Sequence, residues 1–104
     1  MKLENEKALI RTIAEGNTKS FEVLFYSYYP RLKGFICDLL QSPEEAEDIS
    51  QDIFTTLWQN RTSLDKIDNI SAYLFRIAKN AVYRHIERNM LFKNYQQKQT
   101  ESTP

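Results

Sequence analysis

Two acidic side chains, Asp48 and Asp52, lie four residues apart in a stretch, residues 44–60, that holds five acidic residues and no basic one. On a helix this spacing places both carboxylates on one face together with Gln51, and like charges there repel by roughly a few tenths of a kcal/mol. Such a face is either simply solvated or binds a basic partner. Because no histidine or cysteine joins the pair, we predict no metal site.

A second group of side chains combines basic, amide and aromatic types within residues 69–98, which carry six basic residues and one acid, Glu87. Basic groups bind phosphates, an amide can contact a base edge, and aromatic rings stack on bases for about 1–3 kcal/mol each. The group indicates a face for single-stranded nucleic acid, although an ordinary amphipathic surface helix carries the same residue types. Its members are Arg76, Lys79, Asn80 and Tyr83, with Tyr73 and Arg84 at the edge.

The sequence offers no catalytic arrangement. His85 is the only histidine and falls on the apolar side of its predicted helix, which favours a place at the core edge over a role as general base. Cys37 is the only cysteine, so a disulfide framework and a cysteine-rich zinc site are excluded, and a reducing cytoplasm is indicated. We predict that the chain is not an enzyme and requires no cofactor.

The composition limits the kind of domain that can position these groups. The chain has 104 residues, 41% of them hydrophobic, with only two glycines and three prolines. This length fits one small domain, and so few turn residues favour long helices over an all-β fold. Because no apolar run approaches the ~20 residues of a membrane span and no signal peptide opens the chain, we expect a soluble, cytoplasmic protein.

The net charge of zero conceals opposite charges in the two halves of the chain. Residues 1–60 hold ten acidic and six basic residues, and residues 61–104 hold four acidic and eight basic ones. The asymmetry indicates either two partners of opposite charge, one of them nucleic acid, or two halves that attract each other. Charge counts alone do not decide between these interpretations.

Hydrophobic periodicity predicts two helices in the first part of the chain. The first covers about residues 4–15 and ends at Gly16. The second covers about Thr18–Leu40, where apolar residues recur at the spacing of a helix stripe. Because Pro30 lies inside this segment, we expect a kink or a break near Tyr29.

The third helix has the clearest start signal. Ser42 can cap it, Pro43 suits its first position, and Glu45 completes a capping box. We expect this helix to end near Asn60 and to be followed by a polar connection, residues 61–69, without strong periodicity. Its predicted buried stripe consists of Ala46, Ile49, Ile53 and Leu57.

The fourth helix is predicted from Ile70 or Ser71 to Met90 or beyond, with Asn69 or Ser71 as its cap. Its apolar residues cover about half of the circumference, which indicates packing against more than one neighbour. They are Ile70, Leu74, Phe75, Ile77, Ala78, Ala81, Val82 and Ile86. Residues 96–104 contain no apolar side chain, so we predict a polar tether there.

Three blocks in this order resemble region 2 of the extracytoplasmic-function (ECF) sigma factors of bacterial RNA polymerase, in the sigma-70 family. Residues 21–32, FEVLFYSYYPRL, are similar to the opening of region 2. Residues 46–58, AEDISQDIFTTLW, resemble the polymerase-binding helix, and residues 72–80, AYLFRIAKN, resemble the promoter-reading helix. Each block is a weak signal alone, but their order and spacing are typical of the family.

The resemblance agrees with the all-α class that the periodicity predicts, a compact bundle of three long helices plus a short N-terminal helix. It implies that residues 1–95 form the region 2 domain and that residues 96–104 begin a polar linker toward a region 4 domain that is absent from this sequence. It also implies that Asp48, Gln51 and Asp52 bind the clamp helices of the largest subunit of the polymerase core.

For DNA, the resemblance implies recognition and melting of the promoter −10 element, with one base flipped into the loop of residues 62–69. The implied DNA-binding residues are Arg61, Tyr73, Arg76, Lys79, Asn80, Tyr83 and Arg84, of which Asn80 is expected nearest a base edge. An anti-sigma factor is implied as a further partner. Many family members have Trp in place of Tyr73. The alternative function is a helical protein–protein adaptor that does not bind nucleic acid.

Overall fold

The computed structural model describes the backbone of residues 6–101 and the side chains of residues 6–91. The helices are α1 (Glu6–Ala14), α2 (Thr18–Leu40), α3 (Pro43–Gln59) and α4 (Ile70–Glu101), with a 3₁₀ helix (Arg61–Lys66) between α3 and α4. No strand occurs within this range, so the predicted all-α class is confirmed. None of the helices in this range combines the length and the apolar character that crossing a bilayer requires.

The core lies where α2, α3 and α4 pack against one another, while α1 packs against α2 and the 3₁₀ helix. The predicted core of three long helices is therefore extended, because α1 contributes Ile10 and Ile13 to it. Hydrophobic side chains with no exposed surface come from each of the four α-helices. They are Ile13, Leu24, Tyr28, Leu32, Ile36, Ala46, Leu74 and Ala78.

α2 continues through Pro30 as a single helix, so the break that we considered near Tyr29 is wrong. A proline inside a helix removes the N–H that would bond the carbonyl four residues earlier, here that of Tyr26. Tyr26 and Pro30 are both exposed, so water can bond this carbonyl. Leu32, which is fully buried, holds the opposite side of the helix in the core.

Tyr28 connects α1 to α2. Its side chain is fully buried, and its hydroxyl donates a hydrogen bond to Glu6 Oε1 at 3.3 Å. Burial raises the pKa of Tyr28, and the adjacent Glu6 carboxylate raises it further. The phenol is therefore neutral in the folded protein around neutral pH. Residues 4 and 5, with which we expected α1 to begin, lie outside the described residues.

The start of α3 follows the prediction for Ser42 and Pro43, but Glu45 does not complete the capping box, because its carboxylate pairs with His85. Ser42 Oγ accepts a hydrogen bond from the backbone N–H of Glu45 at 3.3 Å, and Pro43 is the first residue of the helix. The carboxylate of Glu45 makes a tertiary contact, since its Oε2 lies 3.1 Å from Nε2 of His85 on α4. His85 is half-buried and lies at the core edge, as predicted.

The buried side of α3 is broader than the predicted stripe. Ser50 and Phe54 are buried as well, whereas Ile49 is only half-buried. The Phe54 ring centre lies 6.3 Å from that of Phe21 and 5.1 Å from that of Phe25, both on α2. A helical wheel does not show on how many sides a helix has neighbours, which is why this width was missed.

The connection between α3 and α4 is more regular than expected, because residues Arg61–Lys66 form the 3₁₀ helix and bury Leu64. Two apolar residues, Leu64 and Ile67, are too few to establish a periodicity, so the sequence did not predict this helix. Asn69 is the cap of α4, since its Oδ1 accepts a hydrogen bond from the N–H of Ala72 at 3.1 Å. This decides between the two caps that we considered.

α4 extends beyond the helices that it packs against. Val82 is buried, but Ile86, which the sequence placed on the apolar side, is 37% exposed. Ile86 is therefore the one exposed member of the eight apolar residues that the sequence assigned to this helix. The α4 backbone stays helical to Glu101 and so enters the predicted linker of residues 96–104, the last three of which lie outside the described residues.

Candidate functional site

The acidic face consists of Asp48, Gln51 and Asp52 on α3, and all three side chains are exposed. Gln51 Nε2 donates a hydrogen bond to Glu47 Oε1 at 3.3 Å. Among the side chains of residues 6–91, no basic group lies within 4 Å of the Asp48 or Asp52 carboxylate. Both carboxylates are therefore available to a cation from another molecule.

An aromatic groove of about 510 Å³ adjoins the acidic face between α2 and α3. Gln51 belongs to both surfaces, and the rings of Phe21 and Trp58 in the groove wall lie 5.1 Å apart between centres. Sequence reasoning missed the groove because its walls come from two helices whose relative position periodicity does not show. Its lining residues are Thr18, Phe21, Phe25, Gln51, Phe54, Thr55, Trp58 and Gln59.

The basic–aromatic face consists of six α4 side chains, Tyr73, Arg76, Lys79, Asn80, Tyr83 and Arg84. All are exposed except Tyr73, which is half-buried. The Arg76 guanidinium lies 5.7 Å from the ring centre of Tyr73, and Lys79 Nζ lies 5.8 Å from that of Tyr83. These are cation–π distances. The structure thus aligns two basic groups with two rings along one helix.

Two surface hollows lie along this face. The first, about 370 Å³, brings the loop residues 66–69 together with Tyr73 and Arg76 of α4. The second, about 500 Å³, is lined by Asn80, Tyr83 and Arg84, together with Ile77 and Glu87. Five of the six predicted DNA-binding residues of α4 therefore line one of these hollows, whereas Lys79 lines neither, and part of the predicted base-binding loop lines the first.

Arg61, the seventh residue assigned to DNA, lines neither hollow. Its Nη1 donates a hydrogen bond to the carbonyl oxygen of Trp58 at 3.0 Å, and its guanidinium carbon lies 4.4 Å from the centre of the Trp58 ring. The structure thus places Arg61 against the end of α3.

Within the part of the chain that the structure describes, no three His, Cys, Asp or Glu side chains come together to hold a metal ion. Cys37 is a free, half-buried thiol on α2. The prediction that the chain is not an enzyme stays a prediction.

Comparison with known proteins identifies the family. The profile of the Sigma-70 region 2 family matches residues 24–91, a range that contains both the acidic face and the basic–aromatic face. This chain belongs to the sigma-70 family. The resemblance to region 2 that we inferred from the three sequence blocks is therefore confirmed.

Two curated relatives support the assignment of this region 2 domain. The ECF RNA polymerase sigma factor RpoE of Cereibacter sphaeroides is 31% identical over 75 residues, 70% of this chain and 41% of the relative. The RNA polymerase sigma-H factor of Pseudomonas aeruginosa is 23% identical over 83 residues, 80% of this chain and 43% of the relative. The chain thus spans about two fifths of the length of these relatives. No solved structure matches it.

Proposed function

We propose that this region 2 domain acts in bacterial transcription initiation. In this proposal the acidic face of α3 binds the clamp helices of the largest subunit of core RNA polymerase. The loop of residues 62–69 and the basic–aromatic face of α4 recognise the promoter −10 element and help to melt it as single-stranded DNA. The observation that carries the proposal is the pair of oppositely charged faces on two packed helices of a domain that matches the family.

The polymerase side of the proposal is supported by the state of the acidic face. Asp48 and Asp52 have no basic group within 4 Å among the described side chains, so a partner with lysines or arginines would supply their missing counter-charges. The Ser42 and Asn60 caps order both ends of α3 before any partner binds. The α3 backbone should therefore lose little conformational entropy when polymerase binds. The aromatic groove next to Gln51 can accept an apolar side chain of the same partner.

The DNA side is supported by the residue types around the two hollows. Unstacking a base costs a few kcal/mol, roughly, which ring stacking and phosphate contacts must offset. Tyr73 and Arg76 at the first hollow offer both, and the exposed amide of Asn80 lines the second. Because the chain has zero net charge, we expect weak DNA binding without polymerase, with a shallow salt dependence.

The family resemblance also leads us to propose an anti-sigma factor as a partner. Such a protein would block polymerase binding by covering the acidic face, the aromatic groove or both. Charge complementarity predicts that its contact surface is basic opposite Asp48 and Asp52.

The test is binding of the native chain and of Asp52→Lys to the isolated clamp coiled coil of the largest polymerase subunit. Reversal of one charge on the acidic face should weaken binding about 30-fold or more, equivalent to about 2 kcal/mol. Glu15→Lys is the matched control, because Glu15 is exposed, lies outside both faces, and undergoes the same change of charge. Circular dichroism should show equal helix content in all three proteins.

The possible outcomes separate the alternatives. If the native, folded chain does not bind the coiled coil, polymerase binding is wrong and the protein–protein adaptor gains support. If Asp52→Lys binds as well as the native chain, the family assignment stands but polymerase binds another face.

A further inference from the structure

Arg61 occupies a place that none of the other basic residues assigned to DNA shares. It is the first residue of the 3₁₀ helix and follows the end of α3 directly. One guanidinium nitrogen donates to the Trp58 carbonyl oxygen at 3.0 Å, and the guanidinium carbon lies 4.4 Å from the Trp58 ring centre. The Arg61 guanidinium therefore contacts Trp58 in two ways, through a hydrogen bond to its carbonyl oxygen and through its ring. Together these contacts hold the guanidinium in one orientation.

The contacts of Arg61 and Trp58 extend to the start of the domain. The Trp58 ring centre lies 5.1 Å from that of Phe21 on α2. Gly16, in the turn between α1 and α2, has φ +98°, and a Cβ added there would lie 3.8 Å from Arg61 Nε. The Arg61 side chain thus lies close to this turn as well as against α3. The positive φ of Gly16 allows the turn to take this path.

The same contacts determine where the chain goes after α3. The backbone N–H of Asn60 bonds the Thr56 carbonyl at 3.0 Å, and the contacts of Arg61 with Trp58 follow immediately. Within the 3₁₀ helix, Leu64 is 2% exposed and belongs to the core. Residues 66–69, which line the first hollow, include the last residue of this helix and the loop after it. Arg61 therefore holds the near end of the segment that leads to the DNA loop, and Leu64 holds its middle.

We propose that Arg61 is a positioning residue for the DNA loop and does not bind DNA phosphates itself. Its guanidinium fixes the 3₁₀ helix on Trp58 and thereby places residues 66–69 beside Tyr73 and Arg76. Replacing Arg61 moves this loop without removing a bond to phosphate. The DNA part of this inference rests on the proposed function, whereas the contact with Trp58 does not.

The contact can be measured without DNA, because Trp58 is the only tryptophan of the chain. We expect Arg61→Ala and Arg61→Lys both to shift the fluorescence emission to longer wavelength and to increase quenching by acrylamide. Lysine keeps the charge but lacks the planar group that stacks on the ring. Arg88→Ala is the control, since Arg88 is exposed on α4 and should leave the emission unchanged. Native emission in both Arg61 variants would overturn the proposal.

The DNA part is tested with holoenzyme assembled from core polymerase and the chain, using a fluorescent mixed-sequence single-stranded oligonucleotide as probe. The slope of log affinity against log salt falls by about 0.7 for each phosphate of single-stranded DNA that the protein no longer neutralises. Lys79→Ala should show this decrease, whereas Arg61→Ala and Arg61→Lys should keep the native slope and weaken binding equally. A lower slope in Arg61→Ala, or native affinity in Arg61→Lys, would show that Arg61 is a phosphate ligand.

Two further measurements distinguish failure of this inference from misfolding of a variant and from failure of the proposed function. If Arg61→Ala does not fold, NMR of the native chain tests the contact between Arg61 and Trp58. The ring current of Trp58 must then shift the resonances of the Arg61 side-chain protons upfield. Unshifted resonances would contradict the contact. If native holoenzyme does not bind the oligonucleotide, the proposed DNA function and the loop-positioning role both fail. The fluorescence of the Arg61 variants then still decides whether Arg61 contacts Trp58.

Discussion

The acidic face of α3 and the basic–aromatic face of α4 belong to one small domain but hold their charges differently. Among the described side chains, the Asp48 and Asp52 carboxylates have no basic group within 4 Å. On α4, the cations of Arg76 and Lys79 lie 5.7 and 5.8 Å from the centres of tyrosine rings. The carboxylates of the first face thus lie beside the aromatic groove that Gln51 lines, whereas the second face combines cations and rings on one helix.

This difference indicates how each face would select its partner. Interactions of exposed carboxylates are long-ranged and screened by salt, so they favour fast association with a basic surface. Rings with adjacent cations suit nucleotides, because each nucleotide presents both a phosphate and a stacking surface. We therefore expect salt to weaken binding at both faces, by screening at the acidic face and by counterion release at the basic–aromatic face.

The largest effect should come from a change that removes the support of both faces. Phe54→Ala deletes the ring that packs between α2 and α3, and buried Phe→Ala changes cost about 3–5 kcal/mol of unfolding free energy. Because domains of this size are stabilised by only about 5–15 kcal/mol, binding of polymerase and of DNA should decline together. Urea denaturation followed by circular dichroism measures the decrease in stability.

The neighbouring Thr55→Ala is the control for Phe54→Ala. Thr55 is exposed, so this change should alter the unfolding free energy by no more than about 0.5 kcal/mol. If Phe54→Ala lowered only polymerase binding and left stability and DNA binding unchanged, the two faces would not depend on a common core.

A smaller effect, confined to one face, is expected from Tyr73→Leu, which keeps apolar bulk but removes the ring. Removal of one base-stacking interaction should weaken DNA binding by the holoenzyme by about 1–3 kcal/mol, roughly 5- to 150-fold. Binding to the clamp coiled coil should not change. Tyr26→Leu is the control, because Tyr26 is 73% exposed on α2 and belongs to neither face. Equal decreases in the two variants would argue against stacking on Tyr73.

The smallest effect is expected on the inner side of α3, opposite the acidic face. Ser50 is fully buried, and its Oγ has no hydrogen-bond partner among the described residues. Ser50→Ala removes this unsatisfied hydroxyl and should raise the unfolding free energy by about 1 kcal/mol without affecting either binding activity. Ser63→Ala, at an exposed position, should be neutral. A decrease in stability for Ser50→Ala would mean that the hydroxyl is bonded in solution.

Local signals in the sequence were sufficient for the helices and for part of the site. The Ser42 cap and Pro43 predicted the start of α3 to the residue, because a cap involves only neighbouring residues. The spacing of Asp48 and Asp52 predicted a common exposed face for the same reason. The order of three short blocks was enough to identify the family, which the match over residues 24–91 confirmed.

Pro30 shows that a proline inside a predicted helix does not always break it. The sequence permitted a break in α2, but proline lies on the exposed side while Tyr28 and Leu32 are buried on the other. Burial of these large side chains outweighs the cost of a proline inside a helix, about 3 kcal/mol from the lost hydrogen bond and the clash of the ring with the preceding turn. Which side of a helix packs against neighbours is a property of the whole fold.

The sequence by itself determined the helical class, the start of α3, the two charged faces and the family. Only the tertiary structure decided the aromatic groove, the pairing of Glu45 with His85, the exposure of Ile86 and the place of Arg61 against Trp58 and the turn at Gly16. Caps and periodicity depend on residues within a few positions of each other. The groove and the pairing of Glu45 with His85, by contrast, depend on the distance and rotation between helices far apart in the chain.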